Sequence, residues 1–181
     1  MNVKTLVKIA ALCLVLAALA QSAAQAQYSG NPFIYNSGRD QYLACWGMAG
    51  NISSNCRDIS DFNDKEMCYA LSDNTQTPCT SITDRNLQLA CYGMAARFWV
   101  PNYPSNCCDI TDTNLRNFCY GVSTPDTSYC STLIDTNTKL LCYAMATSNS
   151  SYCASINNPN DEWFCYGVSS HTNTYCGSII Q

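Results

Sequence analysis

The sequence predicts an all-α fold: a disulfide-stapled solenoid of about six 23-residue helix-turn-helix repeats. Three observations carry this prediction. A Cys-aromatic-small-apolar-small motif recurs six times, beginning at Cys45, Cys68, Cys91, Cys119, Cys142 and Cys165. A second cysteine follows each, at Cys56, Cys79, Cys107, Cys130, Cys153 and Cys176, so the pairs repeat every 23 residues, and once after 28. Periods of this length mark an array of one supersecondary unit. Finally, the apolar residues before each pair keep helical time: Leu87, Ala90, Cys91 and Met94, then Leu115, Phe118, Cys119 and Val122, fall at i, i+3, i+4 and i+7.

The chain opens with a secretory leader, residues 1–26. Lys4 and Lys8 form its basic start, residues 9–20 are an apolar run too short to span a bilayer, and Ala24-Gln25-Ala26 supplies a small-residue cleavage pattern. An arm follows over residues 27–39, carrying Phe33, Ile34 and Tyr35, and the cysteine-rich helical repeat domain occupies residues 40–181. No later stretch is apolar enough to cross a membrane.

Within a repeat, a hydroxyl residue stands two places before the second cysteine: Ser54, Thr77, Ser105, Ser128, Ser151 and Thr174. It reads as the cap of a short helix, with Pro78 once at the first helical position. Three places after that cysteine stand Ile59, Ile82, Ile110, Leu133, Ile156 and Ile179. Next come Asp61, Asp84, Asp112, Asp135 and Asn158, natural caps for a second helix, because a side-chain oxygen satisfies backbone N–H groups that have no partner in the first turn. An Asn follows each cap two residues later, at Asn63, Asn86, Asn114, Asn137 and Asn160. The second helix then runs about eleven residues into the cysteine motif. Its small positions, Gly47, Ala70, Gly93, Gly121, Ala144 and Gly167, predict close packing there, since glycine costs a helix about 1 kcal/mol against alanine.

Removal of Cys13 with the leader leaves thirteen of the 14 cysteines. In an oxidising compartment these read as disulfides. Neither metal nor cofactor is expected, because no Cys-x2-Cys pair of zinc-site spacing occurs. The step from second cysteine to next first cysteine is always 12, whereas the step from first to second is 11 except for 16 at Cys91 to Cys107. Taking the variable step as a loop that a bridge closes, the expected pairs are Cys45–Cys56, Cys68–Cys79, Cys91–Cys107, Cys119–Cys130, Cys142–Cys153 and Cys165–Cys176. Pairing across the constant step would leave Cys45 and Cys176 over.

Cys108 is the odd cysteine, in a slot held elsewhere by Arg57, Thr80, Ser131, Ala154 and Gly177. It reads either as a thiol, capped or not, or as one half of an intermolecular disulfide. Just upstream, the insertion places Phe98, Trp99, Val100 and Tyr103 in a loop, which either folds back or offers an apolar contact surface. The array begins with a second-type helix and ends with a first-type one. These complementary half-units, with Phe33 and Ile34 at one end and Ile179 at the other, suggest head-to-tail contact between subunits.

Recognisable chemistry is absent. The one histidine, His171, lies among Ser, Thr and Asn, and no nucleophile triad, zinc-protease motif or phosphate-binding glycine loop appears. The repeated aspartates suit a cap needed in every unit better than a catalytic pair needed once, so no enzyme is expected. Without Lys4 and Lys8, seven Lys and Arg face 13 Asp and Glu, and no basic stripe exists to meet nucleic acid. The column Trp46, Tyr69, Tyr92, Tyr120, Tyr143 and Tyr166 reads as packing between units or, if exposed, as a stacking ladder for sugars or subunits. Asn51-Ile52-Ser53 and Asn149-Ser150-Ser151 match the glycosylation acceptor pattern.

The pattern C-x2-I-x-D-x-N-x4-C-Y, clearest over residues 107–120, resembles short cysteine-containing helical tandem repeats of uncharacterised prokaryotic exported proteins. The resemblance covers nearly all of residues 40–179 and implies helical repeats, but no activity. The expectation is a non-enzymatic secreted structural protein, a subunit of an extracellular fibre or surface assembly joined head-to-tail. The alternative is a monomeric binding module for a protein or glycan, of inhibitor or immunity type included.

Overall fold

A computed structural model describes residues 31–33, 35–95 and 106–181. The leader, Ile34 and the insertion with Phe98, Trp99, Val100 and Tyr103 lie outside the described residues. Six long helices carry the repeat: α1 (Gly38–Gly50), α2 (Phe62–Ser72), α3 (Arg85–Ala95), α4 (Thr113–Ser123), α5 (Thr136–Thr147) and α6 (Pro159–Ser170). The last five start where the sequence predicts, and the first starts at Gly38, two residues before the expected Asp40. Asp61, Asp84, Asp112 and Asp135 accept the N–H of Asp64, Leu87, Leu115 and Thr138, and Asn158 accepts from both Asn160 and Asp161. Ser37 does the same for α1, accepting from Asp40. Such caps contribute about 1 kcal/mol each.

A short helical turn follows each long helix. Ser53–Asp58, Pro78–Ser81, Cys107–Asp109, Ser150–Ser155 and Asn173–Ser178 are 3-10 turns, and Thr127–Ser131 is a brief α-helix. The expected hydroxyl caps are corrected here. Asp126 and Asn149 do the capping, and the backbone N–H groups of Ser128 and Ser151 are the donors. Four turns begin earlier than the hydroxyl column suggested, so Ser54, Ser128, Ser151 and Thr174 lie inside them. Thr77 does stand at the cap position before Pro78 but makes no side-chain cap bond, and Ser105 lies outside the described residues.

Each long helix packs on the next, and α6 packs back on α1. The solenoid therefore closes on itself as a ring. The disulfides follow one cyclic rule: the turn after each helix is tied to the helix that comes next. The pairs are Cys56–Cys68, Cys79–Cys91, Cys107–Cys119, Cys130–Cys142 and Cys153–Cys165, and the turn after α6 is tied to α1 by Cys45–Cys176. The pairing expected from loop variability is thus overturned. The constant step of 12 is constant because the bridge closes it, and the insertion falls outside every short disulfide loop. Cys45 and Cys176 are not stranded, because closure of the ring brings them together with a Cα–Cα distance of 5.6 Å.

The bridges also explain the small residues. A Cβ on Gly47 would lie 2.7 Å from the sulfurs of both Cys56 and Cys68, and one on Gly93 2.5 and 2.7 Å from those of Cys119 and Cys107. The partner packed close at these positions is a disulfide of the next joint. All twelve bridge cysteines are fully buried. On alternate helices a serine hydroxyl touches a bridge sulfur: Ser72 with Cys56 at 3.4 Å, Ser123 with Cys107 at 3.7 Å and Ser169 with Cys153 at 3.7 Å.

Between units runs a ladder that the sequence displays without explaining. The oxygens of Asn63, Asn86 and Asn137 accept the backbone N–H of Thr83, Thr111 and Asn157, each on the following unit. In the first unit Asp40 takes this part toward Ser60. At the seam Asn160 accepts from Ile180 N–H at 3.0 Å and donates to Ile180 O at 3.0 Å. The Asn two residues past the cap is therefore an inter-unit clamp at Asn63, Asn86, Asn137 and Asn160, while at the fourth joint Asn117 donates to Thr132 instead.

The core lies on the ring axis. Residues one place before the first cysteine (Ala44, Met67, Ala90, Phe118, Leu141 and Phe164) are buried in one layer. Two of the six are alanine, which leaves the layer short of volume. Phe33 of the arm supplies it, with its ring centroid 6.0 Å from Phe118 and 5.6 Å from Phe164. Tyr35 packs on Phe164 at 5.6 Å.

Candidate functional site

The residues expected to meet another molecule divide sharply. Phe33 and Ile179 are buried inside this chain, at 2% and 4% exposure, which corrects their assignment as outward contacts. Both serve ring closure: Phe33 fills the axis, and Ile179 follows the turn that carries Cys176. Cys108 is exposed and outside the six bridges, with its sulfur 3.5 Å from Asp109 Oδ1. Ile34, Phe98, Trp99 and Tyr103 lie outside the described residues.

Three features remain as candidate surfaces. The first is the seam, where Gln41 Nε2 donates to Asp161 Oδ1 at 2.7 Å beside a polar cavity of about 310 Å³. Its polar walls already serve the fold, for Asn158 caps α6 and Asn160 clamps Ile180. Acidic side chains gather at this end. Burial, then Asp61 and Asp40, push the Asp64 carboxyl up to about 7. Burial also raises Asp161, which Gln41 partly opposes and Asp135 reinforces. The Tyr35 phenol is held well above its usual 10.0 by burial, then by Asp64 and Asp40.

The raised Asp64 value means that the folded state holds this proton more tightly than the unfolded chain does. Its contribution is greatest below the ordinary carboxylate value of 3.8 and is lost as pH rises toward about 7. The thermal midpoint is therefore expected to decline across that window and level off above it, and Asp64→Asn should flatten the slope. Thermal melts of both proteins from pH 4 to pH 8 check this.

The second feature is the rim. All six aromatic residues after the first cysteines are half-buried, as a packing layer requires. In the last three units each gains a stacked partner from the following turn. Tyr120 stacks on Tyr129 at 4.9 Å, Tyr143 on Tyr152 at 5.3 Å and Tyr166 on Tyr175 at 5.2 Å, and Trp163 extends the last pair. The first three units have Asn55, Pro78 and Asn106 in the partner's place. One aromatic per unit is common to all six, and the second tyrosine is an addition confined to half the rim, where Tyr152 also packs against the core.

The third feature is the far end of the axis. Met48, Leu71, Met94, Val122, Met145 and Val168, three places after each first cysteine, line a single pocket, so the helices point the same way around the axis.

No family model, curated protein or solved structure matches the chain. It is a disulfide-rich helical tandem-repeat protein with cysteine pairs about 23 residues apart. Six disulfides point to an oxidising compartment outside the cytoplasm. Among the described residues, no helix is long and apolar enough to cross a membrane, and no group of three His, Cys, Asp or Glu could hold a metal. The tyrosine pairs were visible in the sequence as a second column beside the second cysteines. Their stacking depends on the turn folding back along its helix, which no local pattern reveals.

Proposed function

We propose that this is a non-enzymatic exported binding module, a ring that presents the stacked tyrosines of units four to six to a neutral glycan. The observation that carries this reading is the confinement of the additional aromatics to half the rim. Packing accounts for the column present in all six units, whereas the second column is present in only three, and of its members Tyr152 alone also packs against the core. Aromatic faces carry partial negative charge and attract the C–H faces of sugar rings. Ring closure favours a monomer, because the half-unit ends are already joined to each other.

The test replaces all three residues with Asn, the residue that units one and three carry there. Co-sedimentation with insoluble neutral polysaccharides is expected to show binding by the parent protein and its loss in the triple variant, with unchanged thermal stability. Undiminished binding by the variant sinks the reading.

Head-to-tail assembly remains as a second reading on one specific observation. The seam uses the same bridge and the same Asn clamp as the interior joints, so a second copy of the chain could supply them in trans once a seam opens.

A further inference from the structure

We propose that the axial pocket is a site for a soft monovalent metal ion of the Cu(I) or Ag(I) class, held by the thioether sulfurs of Met48, Met94 and Met145, with His171 at the mouth. Along the chain, the residue three places after each first cysteine reads Met48, Leu71, Met94, Val122, Met145, Val168. Methionine occupies every second unit. The next position alternates too, with Ala49, Ala95 and Ala146 against Ser72, Ser123 and Ser169, so the true sequence period is two units. Closing six units into a ring turns that period into threefold symmetry about the axis. The three methionines thus occupy alternate places around one pocket.

His171 lines the same pocket. It stands at the carboxy-terminal cap of α6 in the left-handed region, with φ 53°, and its backbone N–H is bonded to Gly167 O. The chain's only histidine is therefore placed by helix termination at the mouth of its only three-methionine cluster among the described residues.

The cavity volume of about 50 Å³ admits an ion and is too small for an organic cofactor. Every residue lining it is neutral or a histidine, and none offers a carboxylate. Calcium and magnesium need several oxygen ligands, and zinc takes thiolate, imidazole or carboxylate. Thioethers select soft ions such as Cu(I). A monovalent charge also costs less than a divalent one in surroundings this apolar. The expectation of no metal rested on the lack of close cysteine pairs, which bears on zinc and not on thioether ligands. The twelve bridge cysteines are sealed as buried disulfides and cannot compete for the ion.

The test uses the oxidised protein labelled with 13C at the methionine methyls, in chloride-free buffer. Cys108→Ser is included because an exposed thiol would itself take silver. Titration with Ag⁺ is expected to shift the methyl signals of Met48, Met94 and Met145 together, saturating at one equivalent. Met67, buried one layer away and absent from the pocket lining, is the internal control. The joint variant Met48→Leu, Met94→Leu, Met145→Leu conserves volume and should no longer bind. His171→Asn keeps a residue that tolerates the left-handed region and should weaken binding at least about tenfold, the low end of the loss expected even for an outer partner of a metal ligand. No saturable shift, or a Met67 shift as large as the other three, overturns the proposal.

Discussion

Replacing Cys45 and Cys176 together with alanine is expected to destabilise the ring more than removing any other bridge. The chain-entropy model assigns about 3 kcal/mol to a loop the size of the five local ones, and about 4–5 kcal/mol to one of more than a hundred residues. The seam bridge spans 131 residues and the others 12. The five local bridges shorten the path around the ring, which trims the difference without reversing it. Denaturant unfolding of this variant, set beside the Cys56→Ala, Cys68→Ala variant, reads the comparison directly. The seam variant should also gain mass with concentration in light scattering. Its remaining ties (Gln41 to Asp161, Asn160 to Ile180, and the packing of α6 on α1) can be exchanged between two copies. Equal stability losses in the two variants would show that covalent closure adds nothing beyond a local staple.

Phe33→Ala is the second large effect. Truncating a buried phenylalanine costs about 3–5 kcal/mol, part of it from the cavity left behind. Phe33 is 2% exposed and touches the rings of Phe118 and Phe164, which belong to non-adjacent units. Ala44 and Ala90 in the same layer are too short to collapse into the space. Residues 31–33 and 35–37 lie outside any helix, so with the anchor gone Tyr35 should become accessible as well. The expected readouts are a fall in the thermal midpoint and rapid amide exchange around residues 35–37. Phe33→Leu, which refills most of the volume, should recover most of the loss; equal loss in both variants would show that the site is not volume-limited.

These two results concern the parts of the molecule that were least legible beforehand. The long helices, their Asx caps and the face carrying Leu87, Ala90, Cys91 and Met94 could all be read from residue spacing, because caps and helical periods act within a few residues. Ring closure could not. It depends on the small rotation from one unit to the next, which all the inter-unit contacts set together. The disulfide pairing was misread for the same reason: the stranding of Cys45 and Cys176 counts against the true scheme only if the array is open. Phe33 stood out, but as an outward contact, since nothing in an aperiodic arm signals that its ring turns inward. The clamp made by Asn63, Asn86 and Asn137 was visible as a repeated residue, but its acceptor role needs the next unit in place. The candidate surface was half legible: both tyrosine columns stood in the sequence, and only their stacking was missing.

The Cys45–Cys176 bond has one more consequence, for resistance to proteolysis. Any single backbone cut between these residues leaves two fragments still covalently joined through the seam, whichever peptide bond is hydrolysed. Without that bond, a cut between Cys68 and Cys79 would split the molecule in two, since no other bridge crosses that stretch. With it, release of a fragment takes two cuts, and a nicked chain keeps its ends in register and its packing surfaces facing one another.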